Sequence, residues 1–299
     1  MPGNKKLIII ISVLISTSLL GCSSELKQGP VKKPSSKEDN NTKPQTKYKQ
    51  ETSVQLEFDE YSIVFGFSST NGIEILAISD TLPDPVLYTH TISIDNKLIP
   101  LLYKGEKSGD EEKEFQQVYS NFANCGGYLF ETGLGKVDYK KVNILLTDKF
   151  LEGRKYICDF SQGKDQLDKD ILLMLEETNG KKVKNSFLII KVDKKGSLFA
   201  VNYEISNDST MFSFVFVEPN KLVIKDNFGE YDPAGTWRFG DKGYVKPDMF
   251  DVLAVFESKY GIEFAIDWIG SEGDYIEYLI ENGNVLEMTK NEYRYTLPN

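Results

Sequence analysis

From Val54 onward, apolar and polar residues alternate in short runs separated by turn residues, and this pattern limits the fold more than any other feature. Val54, Leu56 and Phe58 alternate with Gln55, Glu57 and Asp59, and Ile63, Phe65 and Phe67 repeat the period. A period of two sends alternate side chains to opposite faces, which is the mark of a half-buried strand. Asn71-Gly72 turns the chain into a second apolar run over 73–78. Pro83 and Pro85 break the pattern, and 89–94 then pairs with 97–103 across Asp95-Asn96. Three clearer hairpins follow. Segments 186–192 and 197–205 flank Asp193–Gly196, 211–217 and 222–225 flank Glu218–Lys221, and 275–280 and 285–289 flank Asn282-Gly283. Strands are also expected at 142–146, 155–159 and 262–269. The fold class is mainly β, a β-rich α+β chain of antiparallel hairpins.

One helix is predicted near 248–260. Pro247 and Asp248 would start it, Val252, Val255, Phe256 and Lys259 keep helical spacing, and Gly261 would end it. A shorter helix is expected over 114–124, with Phe115, Val118, Tyr119 and Phe122 on one face and Gly126-Gly127 as the stop. Residues 104–114 and 165–170 read as charged loops. No repeat recurs at a fixed period, which argues against a propeller or solenoid.

The first 52 residues have a different texture. Lys5 and Lys6 precede an almost unbroken apolar run over 7–20, closed by Gly21-Cys22. A positive start, a run too short for a comfortable membrane span and a small residue at the end mark a secretory signal. Leu19-Leu20-Gly21-Cys22 resembles the lipobox of bacterial lipoproteins. The resemblance covers only residues 1–22. It implies cleavage after Gly21 and a diacylglyceryl group (palmitate-type acyl chains) on Cys22, holding the domain at the cell membrane on its extracytoplasmic side. Two acyl chains, at roughly 0.8 kcal/mol per buried CH₂, anchor a protein stably where one does not. The expected organisation is a signal at 1–21, a lipidated cysteine and disordered linker at 22–52, rich in Lys, Ser, Pro and Asn, and a β-rich domain at 53–299. A subdomain boundary is a further possibility in the Gly-, Asp- and Pro-containing stretch 227–246.

Charge divides with this organisation. Residues 1–52 hold nine lysines against four acids, and 53–299 hold 26 Lys and Arg against 41 Asp and Glu, a net −15. Such a domain repels phosphate backbones, so nucleic acid is excluded as a partner, while basic proteins and cations are compatible. With Cys22 lipidated, Cys125 and Cys158 form an even pair. A bridge between them would close about 34 residues and contribute roughly 3–4 kcal/mol. Two unbridged thiols serve equally well on sequence grounds.

Catalytic motifs are scarce. No Gly-x-Ser-x-Gly occurs, and His90, the only histidine, lies between Thr89 and Thr91 in an expected strand, where it reads as structural rather than as the base of a triad. A single histidine and no Cys-x-x-Cys also argue against a Cys/His zinc site. Ser161-Gln162-Gly163-Lys164 has Ser-x-x-Lys spacing without the companion elements of penicillin-recognising enzymes. No phosphate-loop or dinucleotide fingerprint occurs, and no cofactor is implied. Asp226, Glu230 and Asp232, in a glycine-containing stretch, are candidates for a hard-cation site, although their spacing does not match an EF-hand. Glu263, Asp267, Glu272 and Asp274 are the acids from which a glycosidase pair would be drawn. Trp237 and Trp268, with Tyr275, Tyr278, Tyr293 and Tyr295, are candidates for a ligand-stacking platform. Gly235-Thr236-Trp237 is similar to the Gly-x-Trp that opens lipocalin barrels, but too few residues follow it to complete one. The expected function is non-catalytic binding of an envelope glycan or protein. A carboxylate-dependent glycan hydrolase and a cation-binding structural module are the alternatives.

Overall fold

The computed structural model describes residues 48–110, 116–163, 165–206, 208–231 and 243–296. The signal segment, Gly21, Cys22, the linker to Lys47, and Asp232 and Trp237 lie outside the described residues. The mainly β class is what the structure has. β1 (Ile63–Ser68), β2 (Glu74–Ala77), β3 (Tyr88–Ile92), β4 (Leu98–Lys107), β5 (Gly127–Thr132) and β6 (Asn143–Thr147) close into an antiparallel barrel in the order β1-β2-β5-β4-β3-β6. Its interior takes a side chain from every strand, including Val64, Ile75, Tyr88, Leu101, Phe130 and Leu145. Residues 104–107, expected in a charged loop, extend β4.

Ten strands form the second sheet. They are β7 (Lys155–Tyr156), β8 (Phe160–Ser161), β9 (Val183–Val192), β10 (Gly196–Tyr203), β11 (Ser209–Val217), β12 (Leu222–Glu230), β13 (Phe250–Ser258), β14 (Gly261–Ile269), β15 (Gly273–Asn282) and β16 (Val285–Tyr295). The order is β7-β13-β14-β15-β16-β12-β11-β10-β9-β8. All pairs are antiparallel except β12 with β16, which meet at Ile224 and Val285. The two ends of this sheet are parts of one short segment. Tyr156 pairs with Phe256 on β13, and four residues later Phe160 pairs with Val192 on β9. Ile157 N donates to Val255 O at 2.9 Å, and Asp193 N donates to Asp159 O at 3.2 Å. The segment thereby covers both edges, which would otherwise offer unpaired backbone groups to other chains. The interior is aromatic, with Phe212, Phe214 and Phe216 facing Phe264, Ile266 and Trp268. Residues on both sides of 227–246 share this one sheet.

The 248–260 segment is corrected from helix to strand. Only a 3-10 turn, Pro247–Met249, precedes β13, which pairs with β14 from Phe250↔Trp268 to Ser258↔Gly261. The helix-like spacing has a physical origin. The register shifts between Val252 and Ala254, and β13 is buried on both faces, Val255 in the sheet's interior and Phe256 against the barrel. A bulge in a doubly buried strand removes strict alternation. The predicted 114–124 helix is also corrected, since its described part is a 3-10 turn at Tyr119–Asn121. The sequence reading missed α2 (Lys169–Asn179), part of which it placed in a loop. Asp168 Oδ1 accepts from Asp170 N at 2.9 Å as the cap, Gly180 ends the helix at φ +62°, and Ile171 and Leu175 pack on β9 and β10. A one-turn helix, α1 (Asp148–Leu151), follows β6.

The barrel and the curled sheet meet wall to wall. Phe65 and Phe67 of β1 and Ile144 and Leu146 of β6 pack against Phe256, Ala265, Ile276 and Tyr278 of the sheet. β1 thus buries both faces, Val64 inward and its neighbours outward.

Residues 48–52, expected in the linker, are fastened to the domain, and 54–58, expected as a strand, continue as a strap over the sheet's hairpin turns. Lys49 N donates to Asn220 O at 3.0 Å, Asn282 Oδ1 accepts from Val54 N at 2.7 Å, and Glu57 N donates to the Tyr260 hydroxyl at 2.9 Å. Gly283, at φ +63°, lets the strap pass, since a Cβ there would lie 2.9 Å from Glu51 O and Ser53 N. Gly283→Ala is expected to cost roughly 1–2 kcal/mol from the left-handed backbone alone. Limited proteolysis should then cut within 48–58 sooner than in the wild type. In the Asp193–Gly196 turn the left-handed residue is Lys194 (φ 58°), not glycine. Gly196 is required instead by close approach, 2.4 Å from a built Cβ to Val217 O.

Candidate functional site

The acids considered for catalysis occupy the joint between barrel and sheet. Glu263 and Asp267 on β14 and Asp274 on β15 share the face turned toward the barrel, because alternate residues of paired strands point the same way. Glu263 is fully buried. Arg154 Nε donates to its Oε2 at 2.7 Å, and the Tyr278 hydroxyl donates to the same oxygen. Burial, reinforced by the Glu263 charge, pushes the Tyr278 hydroxyl well above its ordinary pKa. Arg154 Nη1 also donates to Phe150 O at 3.1 Å, and its guanidinium lies over the Phe150 ring, 4.6 Å from the centroid. Asp274 accepts from Arg294 Nε at 2.8 Å and from Nη2.

Asp267 is different. It lies opposite Asp251 on β13, and its Oδ1 has no hydrogen-bond partner. Burial first, then the negative charges of Asp274 and Asp251, raise its carboxyl well above the ordinary range, against the pull of Arg294 and Lys141. Lys141 Nζ holds Asp251 Oδ1 at 3.0 Å. Glu272 is half-buried near the β14–β15 turn. Glycoside hydrolysis needs two carboxyls open to sugar and water. Glu263, Asp267 and Asp274 are instead committed to the joint.

Other sequence candidates are also placed. Asp226 and Glu230 are in β12 rather than a loop, and Asp226 Oδ1 accepts from the Ser213 hydroxyl. Among the described residues, no group of three His, Cys, Asp or Glu is disposed to hold a metal ion. Trp268 is corrected from stacking platform to core. Its ring meets Phe212 edge-on at 5.1 Å and Phe250 at 5.8 Å, which leaves its faces covered. Cys125 is buried, with Sγ donating to Gln116 O at 3.2 Å, and Cys158 is exposed; both are thiols, and the bridge weighed from sequence is not formed. His90 stands at the barrel rim, its Nδ1 3.3 Å from Asp148 Oδ1.

Several clefts among the described residues open to solvent, and two bear on binding. A cleft of about 690 Å³ lies among the β9–β10 turn, the β11–β12 turn and the entry to α2, and Tyr48 of the strap lines it. Its charges are largely paired, Lys191 with Asp165 at 3.3 Å and Lys195 with Glu257.

The second, about 450 Å³, lies at the barrel rim where β1 and β3 begin and β6 ends. Leu82 and Tyr88 enter the barrel core, and the residues between them must cross the rim. The crossing is a 3-10 turn, Pro85–Leu87, capped by Asp84, whose Oδ1 accepts from Val86 N at 3.3 Å. Pro83 and Pro85 restrict the backbone on either side of the cap. Val86 is 66% exposed, Leu87 57% and the neighbouring Tyr61 51%. Beneath them the Tyr88 hydroxyl donates to Tyr61 O at 2.6 Å, and burial raises its pKa. The arrangement is a stiff apolar crest over a cleft. From the sequence, Pro83 and Pro85 served only as breaks in a strand pattern. The available signal was the aliphatic pair following Pro-Asp-Pro.

Neither a protein-family model, nor a curated protein, nor a solved structure matches this chain.

Proposed function

We propose that this chain is a bacterial membrane-anchored lipoprotein whose β-rich domain binds a partner, an envelope protein or glycan, on the extracytoplasmic side. The single observation that carries the binding part is the rim crest. Val86 and Leu87 lie in the turn that Asp84 caps and Pro85 begins, and Tyr61 lies in the neighbouring 3-10 turn that Asp59 caps. All three are large apolar side chains kept in solvent, where burying the exposed part of each aliphatic one would be worth up to roughly 1.5–3 kcal/mol. A turn already ordered loses little entropy when a partner covers it. The anchoring part rests on Lys5, Lys6, the apolar run and Gly21-Cys22. Glycan hydrolysis has less support, because the carboxyls that would perform it are buried in ion pairs or against one another.

Anchoring is tested with the full-length chain and Cys22→Ala in a bacterial host supplied with a palmitate analogue. The wild type should carry the label and sediment with membranes, and Cys22→Ala should lose the label and leave the membrane fraction. Equal labelling and equal sedimentation of the two would overturn the anchor.

A further inference from the structure

We infer that the barrel-rim cleft is a docking site for a protein segment that presents an aliphatic or aromatic side chain flanked by lysine or arginine. This deepens the binding reading above and rests on it. The apolar half of the argument is the crest, whose Val86 and Leu87 stand beside the exposed Pro83 and Tyr61 at the mouth of a cleft of about 450 Å³, room for one large side chain. The charge half is the rim around it, which carries Asp59, Asp84 and Asp148 against Lys149. Lys149 Nζ lies 2.8 Å from Asp59 Oδ2 and is engaged by it. Asp84 is exposed, and Asp148, 73% exposed, accepts from the Thr89 hydroxyl at 2.7 Å beside the half-buried His90. Two acids on an apolar rim complement a cation beside an apolar anchor, and the net −15 of residues 53–299 steers such a segment inward at low salt. An anionic lipid surface is repelled by the same charges, and a second copy of this acidic domain would bring like charge to the contact. Those two occupants are therefore outcomes that count against the inference.

The test uses the full-length protein in nanodiscs of zwitterionic lipid, with empty nanodiscs as blank. Three short synthetic peptides serve as probes: a Leu-Phe centre with lysine and arginine flanks, the same centre with glutamate flanks, and a serine centre with the basic flanks. The basic-apolar peptide should bind at least roughly tenfold more tightly than either control, and more weakly as salt is raised. Val86→Ser with Leu87→Ser should remove that binding by at least roughly tenfold while leaving the melting temperature unchanged, since both side chains are exposed. Asp84→Asn with Asp148→Asn should abolish the preference for basic over acidic flanks. The inference is overturned if the glutamate-flanked peptide binds as well, if the serine pair leaves binding intact, or if the crest instead drives dimerisation or vesicle binding. A partner found on the sheet's own cleft, with no peptide bound at the rim, would leave the binding reading standing and remove this one.

Discussion

Arg154→Met is expected to destabilise the domain by about 3–5 kcal/mol, the penalty for stranding a buried charge. The charge is Glu263, fully buried, whose Oε2 receives Arg154 Nε at 2.7 Å and the Tyr278 hydroxyl. With the guanidinium gone, a carboxylate remains between two sheets, where water cannot replace the lost donor. Phe150 and Phe58, which pack beside Arg154, lose a neighbour as well. For a domain of this size, 1 kcal/mol moves the melting temperature by roughly 2–4 °C, so a fall near 10 °C should be seen by calorimetry. Arg154→Met with Glu263→Met should recover much of it, because a matched apolar pair is often neutral. A fall of less than about 1 kcal/mol in the single variant would mean that the fold does not depend on the Arg154–Glu263 pair as a buried ion pair.

Asp267→Asn is expected to act in the opposite direction and to depend on pH. In the unfolded chain this carboxyl titrates near pH 4. In the fold, burial and the charges of Asp274 and Asp251 raise it far above that, with Arg294 and Lys141 only partly offsetting them. The folded state therefore holds a proton that the unfolded state releases, and stability falls as pH rises from about 4 to the folded pKa. Asparagine has the shape of the protonated acid and does not titrate. Its advantage over the wild type should be small below pH 4 and grow by roughly 1.4 kcal/mol per pH unit above it, levelling off once the buried carboxyl ionises. Chemical denaturation across pH measures this directly. A constant difference between the two proteins would show that Asp267 titrates alike in both states.

These two sites show what the sequence could and could not disclose. Every hairpin with a clear turn was readable, because Asn282-Gly283 or Pro219 dictates local backbone whatever surrounds it. α2 was equally readable from Asp168, its apolar spacing and Gly180, and was overlooked. β13 was not readable: a strand buried on both faces with a bulge at Val252–Ala254 imitates helical spacing, and only its neighbours settle the matter. The acids misled for a related reason. Glu263, Asp267 and Asp274 resemble catalytic carboxyls in one dimension, yet their partners Arg154 and Arg294 lie 109 and 20 residues away. The rim crest was hidden because exposure is a tertiary property. Nothing local to Val86 and Leu87 shows that Leu82 and Tyr88 fill the barrel core and leave them outside it.

The decisive measurement is photocross-linking in intact cells, with the full-length chain carrying a photoreactive side chain at position 86, and at 173 or 228 for comparison. All three positions are exposed apolar residues, on the barrel rim, on α2 and on β12. Position 86 should give a discrete protein adduct that Asp84→Asn with Asp148→Asn diminishes, and position 173 should give none. Adducts from 173 or 228 without one from 86, or adducts to lipid alone, would contradict a protein-binding site at the barrel rim.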